Sequence, residues 1–422
     1  MIEVVETILT FALIPLVTIQ ISWIILITLS FLRKNSTKNI KNFPEVSILI
    51  PAHNEEKNIP ELLENINSLD YPKDKLKVFV IDNASSDKTY EISKKLEKKY
   101  PFLKTLRIEQ KGKSIALNYG LNFVKSEFVL IMDADTRLEK NSLKNAIKYF
   151  LDKKVGGITF RIKVKNLSNI LTYLQNAEYN FNNLLRRGLS LLKEGTVYIW
   201  GCASMYRTKI LKKVKFRELA TEDIDTNLRI QALGKKIVYA EDCVGYTVVP
   251  DNLKIFVKQR IRWYTNSFLI LDVYKKYFKK MNFTLKFYSV PFLIFFWLPL
   301  SLITVPLNLY SIYYWIPYQT SALDLSIYFL NWFSFFGIIN GIYNVIIGKW
   351  ILKPIMIVGY FSAIATFSLI TFSLLYYKEK NWKNFILPLF AFPYFLFVNI
   401  LYIITFLIFL FRIKDFRTFW PR

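Results

Sequence analysis

Hydrophobic and polar positions are segregated along this chain, with long apolar runs at both ends and a mixed region between them. Residues 8–32 carry no charge and are long enough to cross a bilayer as one helix, which predicts a retained membrane anchor. Past residue 286, apolar runs predict four further spans, at residues 287–309, 325–347, 355–377 and 385–411. The pattern therefore predicts one N-terminal membrane helix and a C-terminal bundle of about four.

The region between residues 46 and 246 alternates short β-rich runs with amphipathic helical stretches. This alternation is typical of an α/β domain with a mostly parallel sheet. The clearest predicted strands are residues 46–51, 77–81 and 128–132. Because ligands bind at the carboxyl ends of the strands in such sheets, polar residues directly after these runs are candidates for a functional site.

A basic amphipathic stretch connects the mixed region to the C-terminal bundle, and it predicts helices that lie at a membrane interface. Four parts of the chain follow from these patterns. They are a membrane anchor at residues 1–33, an aqueous α/β domain at residues 34–250, interface helices at residues 251–284, and a transmembrane bundle with a short tail at residues 285–422.

The formal net charge of +25 suits a diphosphate substrate, an anionic lipid surface or nucleic acid. The membrane segments make nucleic acid the least expected of these three partners, so we expect no nucleic-acid partner.

The two cysteines, Cys202 and Cys243, are too few for a disulfide framework and predict free thiols in a reducing compartment.

Charges around the first span predict its orientation. Glu3 and Glu6 precede it and four basic residues follow it within residues 33–41. By the positive-inside rule the N-terminus lies outside, and the charged domain lies on the cytosolic face of the cell membrane.

The same rule gives a mixed result for the C-terminal bundle. With four spans, the lysines of residues 349–353 and the basic residues of 412–422 are predicted to be cytosolic. The three lysines within residues 378–383 would then face outside, against the rule.

Two aspartates, Asp133 and Asp135, directly follow the predicted strand at residues 128–132. In extended geometry residues i and i+2 point to one side, so both carboxylates could bind one hard divalent cation. Such a cation neutralises charge on a departing diphosphate. Taken alone, however, an Asp-x-Asp pair after a strand is more often a turn or a helix cap.

Other predicted strands also end in polar clusters. Residues 51–55 close the first strand, and Asp82 and Asn83 close the second. Lys113 follows a glycine at the start of a predicted helix, which suits phosphate binding but equally fits a solvated lysine. His53 is the only histidine, so a zinc site is not expected.

Two more motifs have ordinary explanations when each is taken alone. Residues 221–223, Thr-Glu-Asp, start a predicted helix, where such residues are common caps. Residues 259–263, with the sequence QRIRW, lie in the amphipathic stretch, where arginine and tryptophan are common interfacial anchors.

In this order, the motifs resemble those of the membrane-integrated family 2 glycosyltransferases, which include cellulose, chitin, hyaluronan and poly-N-acetylglucosamine synthases. The motifs that carry the resemblance are PAHNE at residues 51–55, Asp82, DAD at residues 133–135, TED at residues 221–223 and QRIRW at residues 259–263. The resemblance implies an α/β GT-A domain, of the nucleotide-diphospho-sugar transferase type, joined to an α-helical transmembrane region. It also implies metal-dependent, inverting transfer.

The resemblance implies roles residue by residue. Asp223 would be the general base, and Asp133 and Asp135 would hold Mg²⁺ or Mn²⁺. The implied donor-binding residues are Ala52, Glu55, Asp82, Lys113, Asp133, Gln259, Arg260 and Arg262. The implied acceptor-binding residues are Cys202, Glu222 and Trp263. Residues 200–204 resemble the family's acceptor-site segment, with Ala203 where glycine is usual.

The resulting functional hypothesis is a multi-pass plasma-membrane enzyme that adds sugars from a UDP-sugar to a growing polysaccharide, processively and with possible export. Its expected partners are the nucleotide-sugar donor, the polysaccharide and membrane lipids. One alternative is a non-processive glycosyltransferase acting on a membrane lipid. Another is a non-enzymatic transporter or scaffold, which would have no need for three acidic site residues.

Overall fold

The computed structural model describes residues 2–32, 42–197, 199–219 and 222–411. The basic residues of 33–41 and 412–422, on which part of the predicted orientation rests, lie outside the described residues, as does Thr221.

An eight-stranded mixed sheet forms the centre of the α/β domain. Its strands are β1 Val46–Ala52, β2 Leu76–Asn83, β3 Leu103–Ile108, β4 Phe128–Met132, β5 Arg137–Leu138, β6 Val155–Val164, β7 Ala203–Arg207 and β8 Lys236–Thr247. Their spatial order is β3-β2-β1-β4-β7-β6-β8-β5. The strands β3, β2, β1 and β4 are parallel, as predicted, but β7 pairs antiparallel with both β4 and β6.

Helices cover both faces of this sheet. They are α2 Asn58–Ser68, α3 Thr89–Leu96, α4 Lys113–Leu121, α5 Ser142–Tyr149, α6 Ile170–Leu189, α7 Thr208–Val214 and α8 Glu222–Ala232. Alternate residues of β1 enter two different apolar clusters: Ile48 and Ile50 pack on one face of the sheet and Leu49 on the other. Burial on both faces explains why this strand is a continuous apolar run.

The remaining helices form the bundle and its junction with the α/β domain. They are α1 Ile2–Leu32, α9 Leu253–Tyr277, α10 Trp297–Trp315, α11 Ala322–Phe333, α12 Phe336–Ile346, α13 Pro354–Tyr376, α14 Lys383–Ile386 and α15 Ala391–Phe411. Among the described residues, four segments are long and apolar enough to cross a membrane: Ile2–Leu32, Leu285–Tyr318, Pro354–Tyr376 and Lys383–Phe411.

The predicted span at residues 325–347 is not one continuous helix. Helices α11 and α12 occupy it and are bent by 105° relative to each other, as in a broken span or a re-entrant loop. The backbone of Ser334 is extended, which ends α11, and the amide of Phe335 donates to the carbonyl of Leu389 instead of continuing a helix. With 12 and 11 residues, neither helix reaches the roughly 20 residues that a span requires.

The direction of α13 overturns part of the predicted arrangement of the bundle. Lys353, before α13, pairs with Glu6 near the start of α1 at 2.8 Å, whereas Tyr376, at its other end, packs on Phe31. Tyr377 then meets Tyr239 of the α/β domain, with their hydroxyls 3.2 Å apart. The lysines of residues 378–383 are therefore next to the α/β domain, and residues 349–353 are at the far end of the bundle.

Candidate active site

A cavity of about 2050 Å³ lies where the α/β domain meets the bundle, and it continues between α1, α10 and α13. Most of the predicted site residues line it: Lys113, Asp133, Asp135, Cys202, Glu222, Asp223, Gln259, Arg260, Arg262 and Trp263. Residues that are up to 150 positions apart in the chain thus face one space. The residues that follow the parallel strands were expected to meet at one edge of the sheet, and those after β4 do line this cavity.

Asp133 and Asp135 follow β4 in a turn, which differs from the extended geometry expected from the sequence. The amide of Thr136 donates to the carbonyl of Asp133 at 3.1 Å and closes this turn. Both side chains nevertheless line the cavity. Burial, and then the negative charge of Asp133, raise the pKa of Asp135 to about 6. The two carboxylates therefore repel each other in a site that favours a cation.

Lys113 joins this pair to the start of α8. Its Nζ lies 2.7 Å from Asp133 Oδ1 and 3.1 Å from Glu222 Oε1. Burial opposes the charged amine, but Asp133 and then Glu222 outweigh burial and raise the pKa of Lys113. Lys113 therefore stays protonated and draws β4, α4 and α8 together around the cavity.

Asp223 lies beside Glu222 in the first turn of α8, with its side chain close to Gly201. A Cβ atom added to Gly201 would lie only 2.6 Å from Asp223 Oδ2, so a larger residue there would displace the Asp223 carboxylate. Burial, and then the charge of Glu222, raise the pKa of Asp223 to about 6. Burial also disfavours ionisation of Glu222, but Lys113 overcomes it and lowers the pKa of Glu222. The two neighbouring carboxylates thus differ in basicity, as an acid–base site requires.

An aromatic wall formed by Trp200, Tyr179 and Trp263 closes another side of the cavity. The rings of Trp200 and Tyr179 stack with centroids 4.2 Å apart, and Trp200 Nε1 donates to Asn183 Oδ1 at 3.0 Å. Cys202, on the same segment, is a free thiol whose pKa is raised by burial. Tyr179 and the guanidinium of Arg186, 4.0 Å from the ring centroid, cover Trp200, so the half-buried Trp263 is the ring of this wall that is suited to stacking on a sugar.

The predicted donor-binding role of Arg260 does not fit its contacts. Its guanidinium is 2% exposed and donates to both carboxylate oxygens of Glu178 at 2.7 Å each. Both terminal nitrogens are thus committed to Glu178, and the buried Nε has no hydrogen-bond partner among the described residues. With its terminal nitrogens occupied, Arg260 is not included among the proposed donor-binding residues. Arg262 is exposed to the cavity and its charge acts on Glu222, while Gln259 has a buried amide oxygen without a hydrogen-bond partner among the described residues.

Ala52, Glu55 and Asp82, also predicted to bind the donor, lie at the ends of β1 and β2 outside the cavity lining. Ala52 and Asp82 are register partners. Asp82 is fully buried, neither of its carboxylate oxygens has a hydrogen-bond partner among the described residues, and Arg107 Nε is 3.7 Å away. Burial raises the pKa of Glu55, and the charge of Asp133 adds to this, so Glu55 is near the aspartate pair.

The acidic residues of the cavity include two that could bind a divalent cation, Asp133 and Asp135. Among the described residues, no group of three or more histidine, cysteine, aspartate or glutamate side chains could hold a metal ion. Mg²⁺ in nucleotide sites is commonly bound by one or two carboxylates, with substrate phosphates and waters completing its shell. Asp133 and Asp135, two hard oxygen donors that repel each other, fit that pattern.

Sequence reasoning missed Glu178, Tyr179 and Asn183, which all belong to α6. They contact Arg260 and Trp200, residues far from them in the chain. The sequence did contain a sign of these contacts. The inward face of this helix, as its helical period defines it, carries arginine and several asparagines, which need polar partners when buried.

Comparisons with known proteins found similar sequences and a similar structure. The family model described as "Glycosyltransferase like family 2" matches residues 44–266, more than half of the chain. The probable glycosyltransferase YdaM of Bacillus subtilis (strain 168) is 30% identical over 273 residues, covering 61% of this chain and 65% of that protein. The poly-beta-1,6-N-acetyl-D-glucosamine synthase of Staphylococcus aureus (strain COL) is 28% identical over 237 residues, covering 55% and 57% respectively. The chain thus spans less than two thirds of either relative.

One solved structure matches nearly the whole chain. It is the mannosyltransferase PcManGT from Pyrobaculum calidifontis in complex with GDP-Man and Mn²⁺, with a TM-score of 0.60 and 22% sequence identity. The match covers 89% of this chain and 100% of that one. At this identity the likeness establishes a shared fold.

Proposed function

The chain belongs to glycosyltransferase-like family 2, with a GT-A domain joined to helices long enough to span a membrane, and we propose that it extends a polysaccharide at that membrane. The donor is a nucleoside-diphosphate sugar, with UDP as the expected nucleotide. Transfer inverts the anomeric centre. The relatives named above support the donor class, because one is a polysaccharide synthase and the matching structure holds GDP-Man.

The observation that carries this proposal is the shared cavity of Asp133, Asp135 and Asp223. A transporter or scaffold gains nothing from three half-buried carboxylates that line one cavity near a lysine. Two of them have pKa values near 6, close to the pH at which a general base works best. Trp263, the half-buried ring of the aromatic wall, provides a surface for the acceptor sugar.

In the proposed reaction, Asp223 accepts the proton of the acceptor hydroxyl as the hydroxyl oxygen bonds to the anomeric carbon. The bond from that carbon to the diphosphate breaks on the opposite face, so the configuration inverts. Arg262 and Gln259 bind the leaving diphosphate, for which a guanidinium fork is well suited. Trp263 stacks on the acceptor, and Glu222 and Cys202 border the same subsite.

Donor binding extends to the strand ends. Ala52, Glu55 and Asp82 bind the nucleoside. When the nucleotide binds, Lys113 leaves its carboxylate partners and contacts the nucleotide instead. Mg²⁺ or Mn²⁺ held by Asp133 and Asp135 would neutralise charge on the diphosphate. The carboxylate oxygens of Asp82 accept no hydrogen bond among the described residues, which supports a ligand contact there, since a buried carboxylate without hydrogen bonds is costly.

We propose that the product leaves through the bundle and that the catalytic domain faces the cytosol. The cavity supports export because it continues from the aspartates past α1, α10 and α13 to Lys353 at the far end. The four parts predicted from the sequence, at residues 1–33, 34–250, 251–284 and 285–422, fit this division between catalysis, interface and membrane.

A donor screen tests the proposed function. Membranes containing the full chain are incubated with Mn²⁺ and labelled UDP-glucose, UDP-N-acetylglucosamine or GDP-mannose, and released nucleotide and labelled product are measured. We expect one donor to give nucleotide release and a high-molecular-weight product, both lost with EDTA. A single sugar on an extractable lipid would instead support the alternative lipid acceptor, and no release with any donor would contradict the proposal.

The rate of transfer should depend on pH through Asp223. Its pKa is raised to about 6 and its ionised form is the base, so transfer should fall as pH drops through about 6 and level off above it. Transfer is measured at saturating donor from pH 5 to 8, with donor binding followed in parallel because Asp135 titrates in the same range. A rate that stays constant across this range would contradict the assignment of Asp223.

A further inference from the structure

Two groups of an arginine, a glutamate and a tyrosine join the α/β domain to the bundle. In the first, Arg260 of α9 donates two hydrogen bonds of 2.7 Å to Glu178 of α6. Tyr394 of α15 donates to Glu178, and its hydroxyl accepts a bond of 3.2 Å from Arg260. Three separate helices therefore meet at one ion pair.

The second group has the same composition but a different position. Arg187 of α6 donates to Glu241 of β8 and, at 3.0 Å, to the hydroxyl of Tyr376 on α13. None of these three residues belongs to the cavity lining, whereas Glu178 and Arg260 both do. The second group thus serves as a natural comparison for the first.

The first group is connected directly to the aromatic wall. The guanidinium of Arg260 lies over the ring of Trp263, 4.6 Å from its centroid. The orientation of Trp263 therefore depends on the group, because a bidentate arginine–carboxylate pair fixes geometry as well as charge. Trp200 is instead held by its hydrogen bond to Asn183 and by the guanidinium of Arg186, 4.0 Å from its ring centroid. Lys113 and Asp133, proposed to bind the donor, form an ion pair with each other and take no part in the hydrogen bonds of this first group.

We propose that Glu178, Arg260 and Tyr394 are positioning residues that hold Trp263 of the aromatic wall in place, so that the acceptor hydroxyl rather than water receives the sugar. This inference rests on the proposed function. In transfer, the acceptor oxygen bonds to the anomeric carbon, the nucleoside diphosphate leaves and Asp223 takes the proton. In hydrolysis, a water oxygen takes the place of the acceptor oxygen and free sugar results. Only the first outcome requires an aligned acceptor.

Tyr394→Phe is the primary test because it removes one hydroxyl and retains the ion pair. Membranes with the full chain receive Mn²⁺ and the labelled donor that supports nucleotide release in the screen. Label in membrane-associated product is divided by nucleotide released. We expect this ratio to fall about fivefold with nucleotide release still within about twofold of wild type, because small misalignments of a reacting group have large kinetic effects.

The matched control is Tyr376→Phe, which removes the same hydroxyl from the second group. Its ratio should equal that of wild type. Glu178→Gln, checked for folding by gel filtration in detergent, should lower the ratio further than Tyr394→Phe because Arg260 loses its charged partner.

Three results would overturn the inference: an unchanged ratio in Tyr394→Phe, an equal fall in Tyr376→Phe, or a parallel loss of product and nucleotide release. The last would indicate general destabilisation instead of acceptor positioning. If wild-type membranes release nucleotide from no donor in the screen, the proposed function itself fails, and the inference fails with it.

Discussion

Asp223→Asn should abolish sugar transfer while leaving nucleotide binding largely intact. The amide has nearly the same shape as the carboxylate and fits against Gly201, but it cannot accept the proton of the acceptor hydroxyl. Loss of a general base typically lowers rates by about 10²- to 10⁴-fold. Transfer is measured as label in product at saturating donor, and UDP binding is measured by calorimetry on the same purified chain.

Asp272→Asn provides the control for this substitution, since Asp272 is an exposed aspartate of α9 outside the cavity lining. It should have wild-type transfer. Full activity in Asp223→Asn would remove the general-base assignment, and loss of UDP binding together with transfer would indicate damage to the donor site instead.

Asp135→Ala should weaken donor binding because it removes one of the two carboxylates proposed to bind the metal ion. Donor binding in the variant should then depend little on metal. Removing one of two carboxylates leaves the cation with too few protein ligands, and we expect UDP affinity in the presence of Mn²⁺ to fall at least about 10-fold. Binding of UDP is measured by calorimetry with Mn²⁺ and again with EDTA. Wild type should lose affinity on chelation, whereas the variant should respond little.

The exposed residue Asp74, in the short 3₁₀ turn Lys73–Lys75, provides the matched control as Asp74→Ala. This variant should keep the wild-type response to chelation. Metal dependence that is unchanged in Asp135→Ala would contradict the assignment of Asp135 as a ligand.

Local patterns were sufficient to predict the main elements of the catalytic domain. The apolar runs that became β1, β2 and β4 are buried between helices, and such runs are recognisable without knowledge of their neighbours. The family and the GT-A fold, inferred from motif order, are confirmed by the family model and the matching structure. The individual roles of the site residues stay predictions.

Features that depend on distant contacts could not be predicted. Arg260 looked like a ligand for phosphate because nothing in its local sequence indicates that Glu178, 82 residues away, occupies its guanidinium. The bend at Ser334 depends on the carbonyl of Leu389, and serine alone is well tolerated in membrane helices. The position of Lys353 likewise depends on a distant contact, since its partner Glu6 is near the other end of the sequence.

The central claim is that carboxylates distant in the sequence bind a cation and a diphosphate in one cleft beside the bundle. A crystal structure of the full chain with UDP and Mn²⁺, with anomalous data to locate the manganese, tests it most directly. We expect the manganese between Asp133, Asp135 and the diphosphate, with Asp223 facing the same space. Manganese and UDP bound at another surface, away from these aspartates, would contradict the claim.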